Sequence, residues 1–205
     1  MPKILPPYSM VTLVMHSSFT DQCDELVAVL QRFAAQSAAV DAFVERIAEA
    51  VLAGQTLFTC GNGGSAADAI HLAEELVGRY RSDRRPLAGI CLNTDVGALT
   101  CIANDFGYEQ VFARQIQALG RPGDLLVIFS TSGGSPNLLA ALHAAREAGL
   151  ITFALLGKDG GLALNLADHS LVVPSDNSAR IQEVHGLLLH AICEELEQRL
   201  HRAQG

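Results

Sequence analysis

The chain has 205 residues, with 49% hydrophobic and 18% charged side chains and a formal net charge of −8. That length supports one domain with a full core and excludes two large ones, and the composition is that of a globular chain, not a disordered one. The negative charge excludes a general attraction to nucleic acid or anionic lipid, so a phosphorylated ligand has to be held by local dipoles and hydroxyls.

The opening MPKILPPYSMVTLVM is mildly apolar, is interrupted by Pro6 and Pro7, and lacks a small-residue cleavage site. It reads as a loose arm over 1–16, not a signal peptide, with Met10 and Met15 as alternative starts. A helix is expected over about 17–35. A second follows, with Val40, Phe43, Val44, Ile47, Ala48 and Val51 at spacings of three and four, and stops at Gly54. Five short apolar runs come next: TLFTC (56–60), AGICLN (88–93), DLLVIFS (124–130), ITFALL (151–156) and HSLVVP (169–174). They are nearly continuous in apolar character, as for parallel strands covered on both faces. A closing helix from about Ala179 to Arg202 carries Ile181, Val184, Leu188, Ile192 and Leu196 on one stripe. The fold class is therefore α/β: a doubly wound five-stranded parallel sheet flanked by helices, with an N-terminal helical extension. One domain spans 17–205. The five cysteines are scattered and form no CxxC pair, as for free thiols in a reducing compartment, and no apolar run reaches membrane-spanning length. A cytoplasmic protein is expected.

In an open parallel sheet, ligands gather where strand carboxyl ends meet helix N-termini. Two such turns are rich in small and hydroxyl residues. Asn62-Gly63-Gly64-Ser65 follows the first strand, and Ser130-Thr131-Ser132-Gly133-Gly134-Ser135 follows the third. Glycine lets backbone N–H groups converge on an anion, the helix N-terminus adds partial positive charge, and hydroxyls donate without formal charge. Each turn alone could be no more than a tight loop and helix cap; two on one sheet edge point to a phosphate site. Gly61-x-Gly63-x-x-Ala66 also mimics a dinucleotide fingerprint, but the nearest suitable acid, Asp95, lies about thirty positions on, where about twenty are needed. That reading also leaves the serine-rich turn unexplained, and the P-loop pattern is absent.

His71 and Glu75 stand at i and i+4 on the helix leaving the first turn, so they share a face. The last helix begins RIQEVHGLLLH and offers Gln182, Glu183, His185 and His190. Histidines, a carboxylate and a neutral oxygen donor suit a divalent metal such as zinc. Gln182 and His190 lie about 12 Å apart along a helix axis, which calls for long side chains reaching toward each other or for ligands from different subunits. Core packing remains the alternative for His190, and a solvated helix face for the His71–Glu75 pair. Arg79, Arg81, Arg84 and Arg85 read as a solvated basic turn.

GNGGSAADAIHLAEELVGRY, CIANDFGYE, STSGGSPN, GKDGG and RIQEVHGLLLH, in this order, resemble the phosphoheptose isomerase family of SIS-domain proteins over about 20–200. The resemblance implies conversion of sedoheptulose 7-phosphate to D-glycero-D-manno-heptose 7-phosphate. It implies phosphate and substrate contacts at Asn62, Gly63, Gly64, Ser65, Ser130, Thr131, Ser132 and Ser135, with Asn104, Asp105, Glu75 and Gln182 also meeting substrate. It further implies one zinc ion per subunit on His71, Glu75, Gln182 and His190, with Glu75 and His190 as the acid/base pair, in a homotetramer whose sites lie between subunits. Ala179 stands where some members carry an acid. Two other readings are an isomerase of a different sugar phosphate and a non-catalytic SIS protein that binds a replication-initiator partner.

Overall fold

The computed structural model describes residues 18–204, so the arm expected over 1–16 lies outside the described residues. Helix α1 (Phe19–Phe33) opens on a capping box: the Ser18 hydroxyl accepts from the Asp21 N–H at 3.1 Å, and Asp21 accepts from the Ser18 N–H at 2.8 Å. Helix α2 (Ser37–Leu52) follows and buries Phe43, Val44, Ile47, Ala48 and Val51, the stripe that the spacing defines.

The sheet consists of β1 (Leu57–Gly61), β2 (Gly89–Cys91), β3 (Leu125–Ser130), β4 (Ile151–Gly157) and β5 (His169–Val173), all parallel, in the order β2-β1-β3-β4-β5. Between strands run α3 (Gly64–Val77), α4 (Val96–Phe106), α5 (Ala113–Leu119), α6 (Pro136–Glu147) and the short α7 (Ala163–Leu166), and α8 (Ser178–Gln204) closes the chain.

Chain direction across the sheet reverses at β1. The path steps outward to β2 and then returns over β1 to β3. Parallel crossovers keep one hand, so helices on the outward and return legs cover opposite faces. Side-chain alternation along the strands builds a core on each. Leu57, Leu125, Val127 and Phe129 pack with α1, α2, α3 and α8. Phe58, Cys60, Leu126 and Ile128 pack with α4, α5, α6 and α7. The first core brings α3 and α8 side by side, and these are the helices that carry the candidate chemistry. Cys60, Cys91 and Cys193 are buried free thiols, whereas Cys23 and Cys101 are exposed on helices α1 and α4. No helix among the described residues is long and apolar enough to cross a membrane.

Candidate active site at the switch point of the sheet

β1 and β3 are neighbours whose following connections run to opposite faces, which opens a crevice at their carboxyl ends. Both hydroxyl-and-glycine turns sit there. Gly63 caps α3 with φ 58° and no side-chain bond, so no side chain caps the first amides of α3. Asn62 is locked by a reciprocal amide pair with Asn137, at 2.9 and 2.8 Å, and accepts the Tyr108 hydroxyl at 3.1 Å. Asn93 grips Gly61 from both sides, accepting its N–H at 3.2 Å and donating to its carbonyl at 2.9 Å. In the second turn the Ser130 hydroxyl accepts from the Gly133 N–H at 3.0 Å, which curls the loop, and Ser132 accepts from the Gly134 N–H at 3.4 Å. Ser135 caps α6 without a side-chain bond, ahead of Pro136. A cavity of about 250 Å³ lies against Asn62, Tyr108, Ser135 and Asn137. Ser65 is buried at the first turn of α3.

The second cluster forms farther along α3. His71 Nε2 lies 3.3 Å from Glu75 Oε1, and the His190 ring of α8 stands edge-on to His71 with centroids 5.0 Å apart. One donor atom from each of His71, Glu75 and His190 lies within 4.8 Å of the others. Tyr80 stacks on the outer side of His190 at 5.7 Å and 29°, fixing the plane of the imidazole. His190 is thus partly exposed and faces a carboxylate; it is not an apolar core residue.

Helix α8 joins the two regions because it runs alongside α3 in the same direction. Ser178 donates to the Thr131 hydroxyl at 3.4 Å, Gln182 lies directly over Gly64, and two turns later His190 meets His71. The structure brings His71, Glu75 and His190 together and sets Gln182 at the glycine turn, toward the opposite end of α3. Asn104 and Asp105 stand exposed at the end of α4 and bond to each other at 2.7 Å. Among the described residues neither hydrogen-bonds to another candidate site residue.

Several participants have a role that only the fold reveals. Asn93, Asn137 and Tyr108 brace the first turn from elements remote in the chain; Tyr108 and Asn137 lie within the motifs CIANDFGYE and STSGGSPN, but spatial proximity alone shows what they do. Asp68 lies one turn before His71 with a buried Oδ2 that has no hydrogen-bond partner; burial pushes its carboxyl up to about 6, against the pull of His71. Arg84, expected in a solvated turn, is instead buried, its side chain 6% exposed.

With this geometry in view, the comparisons with known proteins are specific. Residues 21–157 match the family model described as SIS domain. The chain is 51% identical over 154 residues to phosphoheptose isomerase 1 of Campylobacter jejuni, covering 75% of this chain and 83% of that protein. It is 48% identical over 185 residues to the phosphoheptose isomerase of Paramagnetospirillum magneticum, covering 88% and 95%. Among solved structures, a phosphoheptose isomerase from Francisella tularensis superposes with a TM-score of 0.84 at 33% identity, covering 87% of this chain and 96% of that one. The Neisseria gonorrhoeae phosphoheptose isomerase gives 0.82 at 39%, with the same coverage. The chain belongs to the SIS-domain family and, within it, to the phosphoheptose isomerase family. It is an isomerase.

Proposed function

We propose that this isomerase converts sedoheptulose 7-phosphate to D-glycero-D-manno-heptose 7-phosphate in the cytoplasm, on the path to activated heptose for glycans such as lipopolysaccharide. The observation that carries the chemistry is the convergence of Glu75 and His190, from α3 and α8, on one small space. The identity to named phosphoheptose isomerases supports the choice of sugar.

Aldose–ketose exchange moves one proton between C1 and C2 and one between the two oxygens, through an enediol. Glu75 takes the C1 proton of the ketose, its carboxyl exchanges with solvent while the enediol is held, and it then delivers a proton to C2. His190, oriented by Tyr80, moves the hydroxyl proton. The amides that open α3 and α6, with the hydroxyls of Ser65, Ser130, Thr131, Ser132 and Ser135, hold the phosphate at the other end. Asn62, braced by Asn137, shapes that pocket.

The donor set fits a zinc ion. Two ligands on a tetrahedral zinc at about 2.0 Å lie about 3.3 Å from each other, the spacing found between His71 Nε2 and Glu75 Oε1. His71, Glu75 and His190 would hold the ion, one ion per subunit, and Gln182, which lies against Gly64 at the glycine turn in the same subunit, would complete the set only from a neighbouring copy. When bound there, zinc supplies Lewis-acid polarisation of the substrate carbonyl. A homotetramer with sites between subunits would give the exposed Asn104 and Asp105 a substrate to meet from a neighbouring copy.

The test is a panel of ketose phosphates incubated with the purified protein, with and without a chelator, aldose product being followed by NMR. Heptulose phosphate is expected to be turned over in preference to pentulose and hexulose phosphates, with a loss of at least tenfold on chelation. Preference for a shorter sugar would overturn the substrate assignment, and undiminished activity in a zinc-free sample would overturn the metal.

A further inference from the structure

We infer that Arg84 and Glu197 form a tie that sets the separation of Glu75 and His190, making Arg84 a positioning residue of the active site. This rests on the isomerase reading above for its kinetic consequence, but the geometry is independent of it. Arg84 lies in the irregular segment after α3. Its guanidinium turns back to the open end of that helix, donating to the Glu75 carbonyl at 2.6 Å and to the Leu76 carbonyl at 3.0 Å. Those are last-turn carbonyls, which a helix cannot satisfy internally, and one belongs to Glu75 itself. The Leu87 N–H also donates to the Leu76 carbonyl, at 2.9 Å.

The same guanidinium faces Glu197 of α8, Nε to Oε1 at 3.8 Å, an ion-pair distance at which Nε makes no hydrogen bond, with the two side chains 6% and 7% exposed. Glu197 follows His190 by two turns, so it projects from nearly the same side of α8. Its carboxylate also accepts the Arg81 N–H at 3.0 Å and the Ser82 N–H at 3.1 Å, which anchors the segment bearing Arg84 to α8. Burial raises the Glu197 carboxyl, but these donors, the Ser82 hydroxyl and Arg84 together hold it below its ordinary value. Cys193, between His190 and Glu197 on α8, senses the same groups. Burial and then the charge of Glu75 push its thiol up to about 12, while Arg84 pulls the other way. One buried guanidinium therefore joins the backbone of the catalytic carboxylate to the helix of the catalytic histidine. A planar fork with several fixed donors can span these partners, which a lysine ammonium cannot do in the same geometry.

The experiment compares wild type, Arg84→Met, Arg84→Lys and Glu197→Gln by two readouts. The first needs no substrate: with labelled histidine, the NOE between the His71 and His190 rings, which stand 5.0 Å apart, is expected in wild type and lost or strongly weakened in Arg84→Met. The second is steady-state kinetics: kcat is expected to fall at least tenfold with KM within about twofold, because the phosphate turns lie at the far end of α3. Arg84→Lys should recover only part of kcat. If Arg84→Met fails to fold, Glu197→Gln, which keeps the side-chain shape, is expected to show the same pattern at smaller amplitude. A preserved ring contact with kcat within twofold in the folded variants would overturn the tie, even if melting temperature falls. Should wild type isomerise no sugar phosphate, the functional reading fails while the NOE still decides the tie.

Discussion

At the scale of single residues, two glycines separate what the site needs for chemistry from what it needs for folding. Gly64 opens α3, and a Cβ there would lie 2.6 Å from Gln182 Nε2, the far end of a flexible side chain that can swing away. Gly133 has φ +61°, and its Cβ would run into the Gly160 carbonyl, which belongs to backbone and cannot yield. Gly64→Ala is therefore expected to leave the melting temperature unchanged or higher, alanine being the better helix former by up to about 1 kcal/mol, while turnover falls tenfold or more as Gln182 is displaced. Gly133→Ala is expected to lose about 1–3 kcal/mol of stability. Thermal melts paired with turnover assays check both, and the reverse pattern would contradict this division. The glycine turns are legible from residue type and spacing, whereas His71, Glu75 and His190 stand out only through the resemblance to the phosphoheptose isomerase family, since spacing alone leaves a solvated helix face and core packing open. What each glycine accommodates is not legible, since Gln182 and Gly160 reach them only through the fold.

At the scale of elements, α8 does the most varied work. One stripe fills the core with Ile181, Val184, Leu188, Leu189 and Ile192, and the same helix presents Gln182 and His190 to α3 and Glu197 to the segment that follows α3. His185 lies within the buried part, its Nε2 3.2 Å from the Leu156 carbonyl and its Nδ1 without a partner. Burial drives its pKa down from 6.5 to about 4, although the Leu156 carbonyl pulls it upward. The unfolded chain therefore takes up this proton before the folded one. The penalty is absent above pH about 6.5 and grows as pH falls to about 4, by up to ~1.4 kcal/mol per pH unit. His185→Gln keeps a donor for Leu156 and removes the titration, so urea unfolding at pH 7 and pH 5 is expected to show a smaller loss of stability than wild type. Equal losses in both proteins would contradict the assignment. Strand positions follow from the apolar runs to within one residue at every end but one: the run over 88–93 forms β2 only over Gly89–Cys91, stopping two residues early. Asn93 leaves the ladder at that edge and turns to grip Gly61 instead, a role that no local pattern encodes. In the basic turn after α3, Arg79, Arg81 and Arg85 are exposed as the sequence suggests, and Arg84 alone departs, because its partners are helix-end carbonyls and a glutamate from the far end of the chain.

At the scale of the whole molecule, strand order decides where the chemistry lies. Reversal of direction at β1 puts both glycine-hydroxyl turns on one edge and stacks α3 beside α8, so the proposed anion nest and the proposed acid/base pair belong to one face of the fold. With a net charge of −8, the chain would have to hold a phosphate by aimed amides and hydroxyls, not by its overall field. The doubly wound class was legible from the alternation of runs and turns. The parallel alignment of α3 with α8, on which the site depends, emerges only in three dimensions. The most direct test of that arrangement is isomerisation of sedoheptulose 7-phosphate in D2O by wild type, Glu75→Gln and His190→Gln, read by NMR. Wild type is expected to release aldose carrying deuterium at C2, and each variant to lose about 10²–10⁴ in rate while retaining its fold by circular dichroism. Turnover of the folded Glu75→Gln protein at the wild-type rate, with deuterium still entering at C2, would contradict the account.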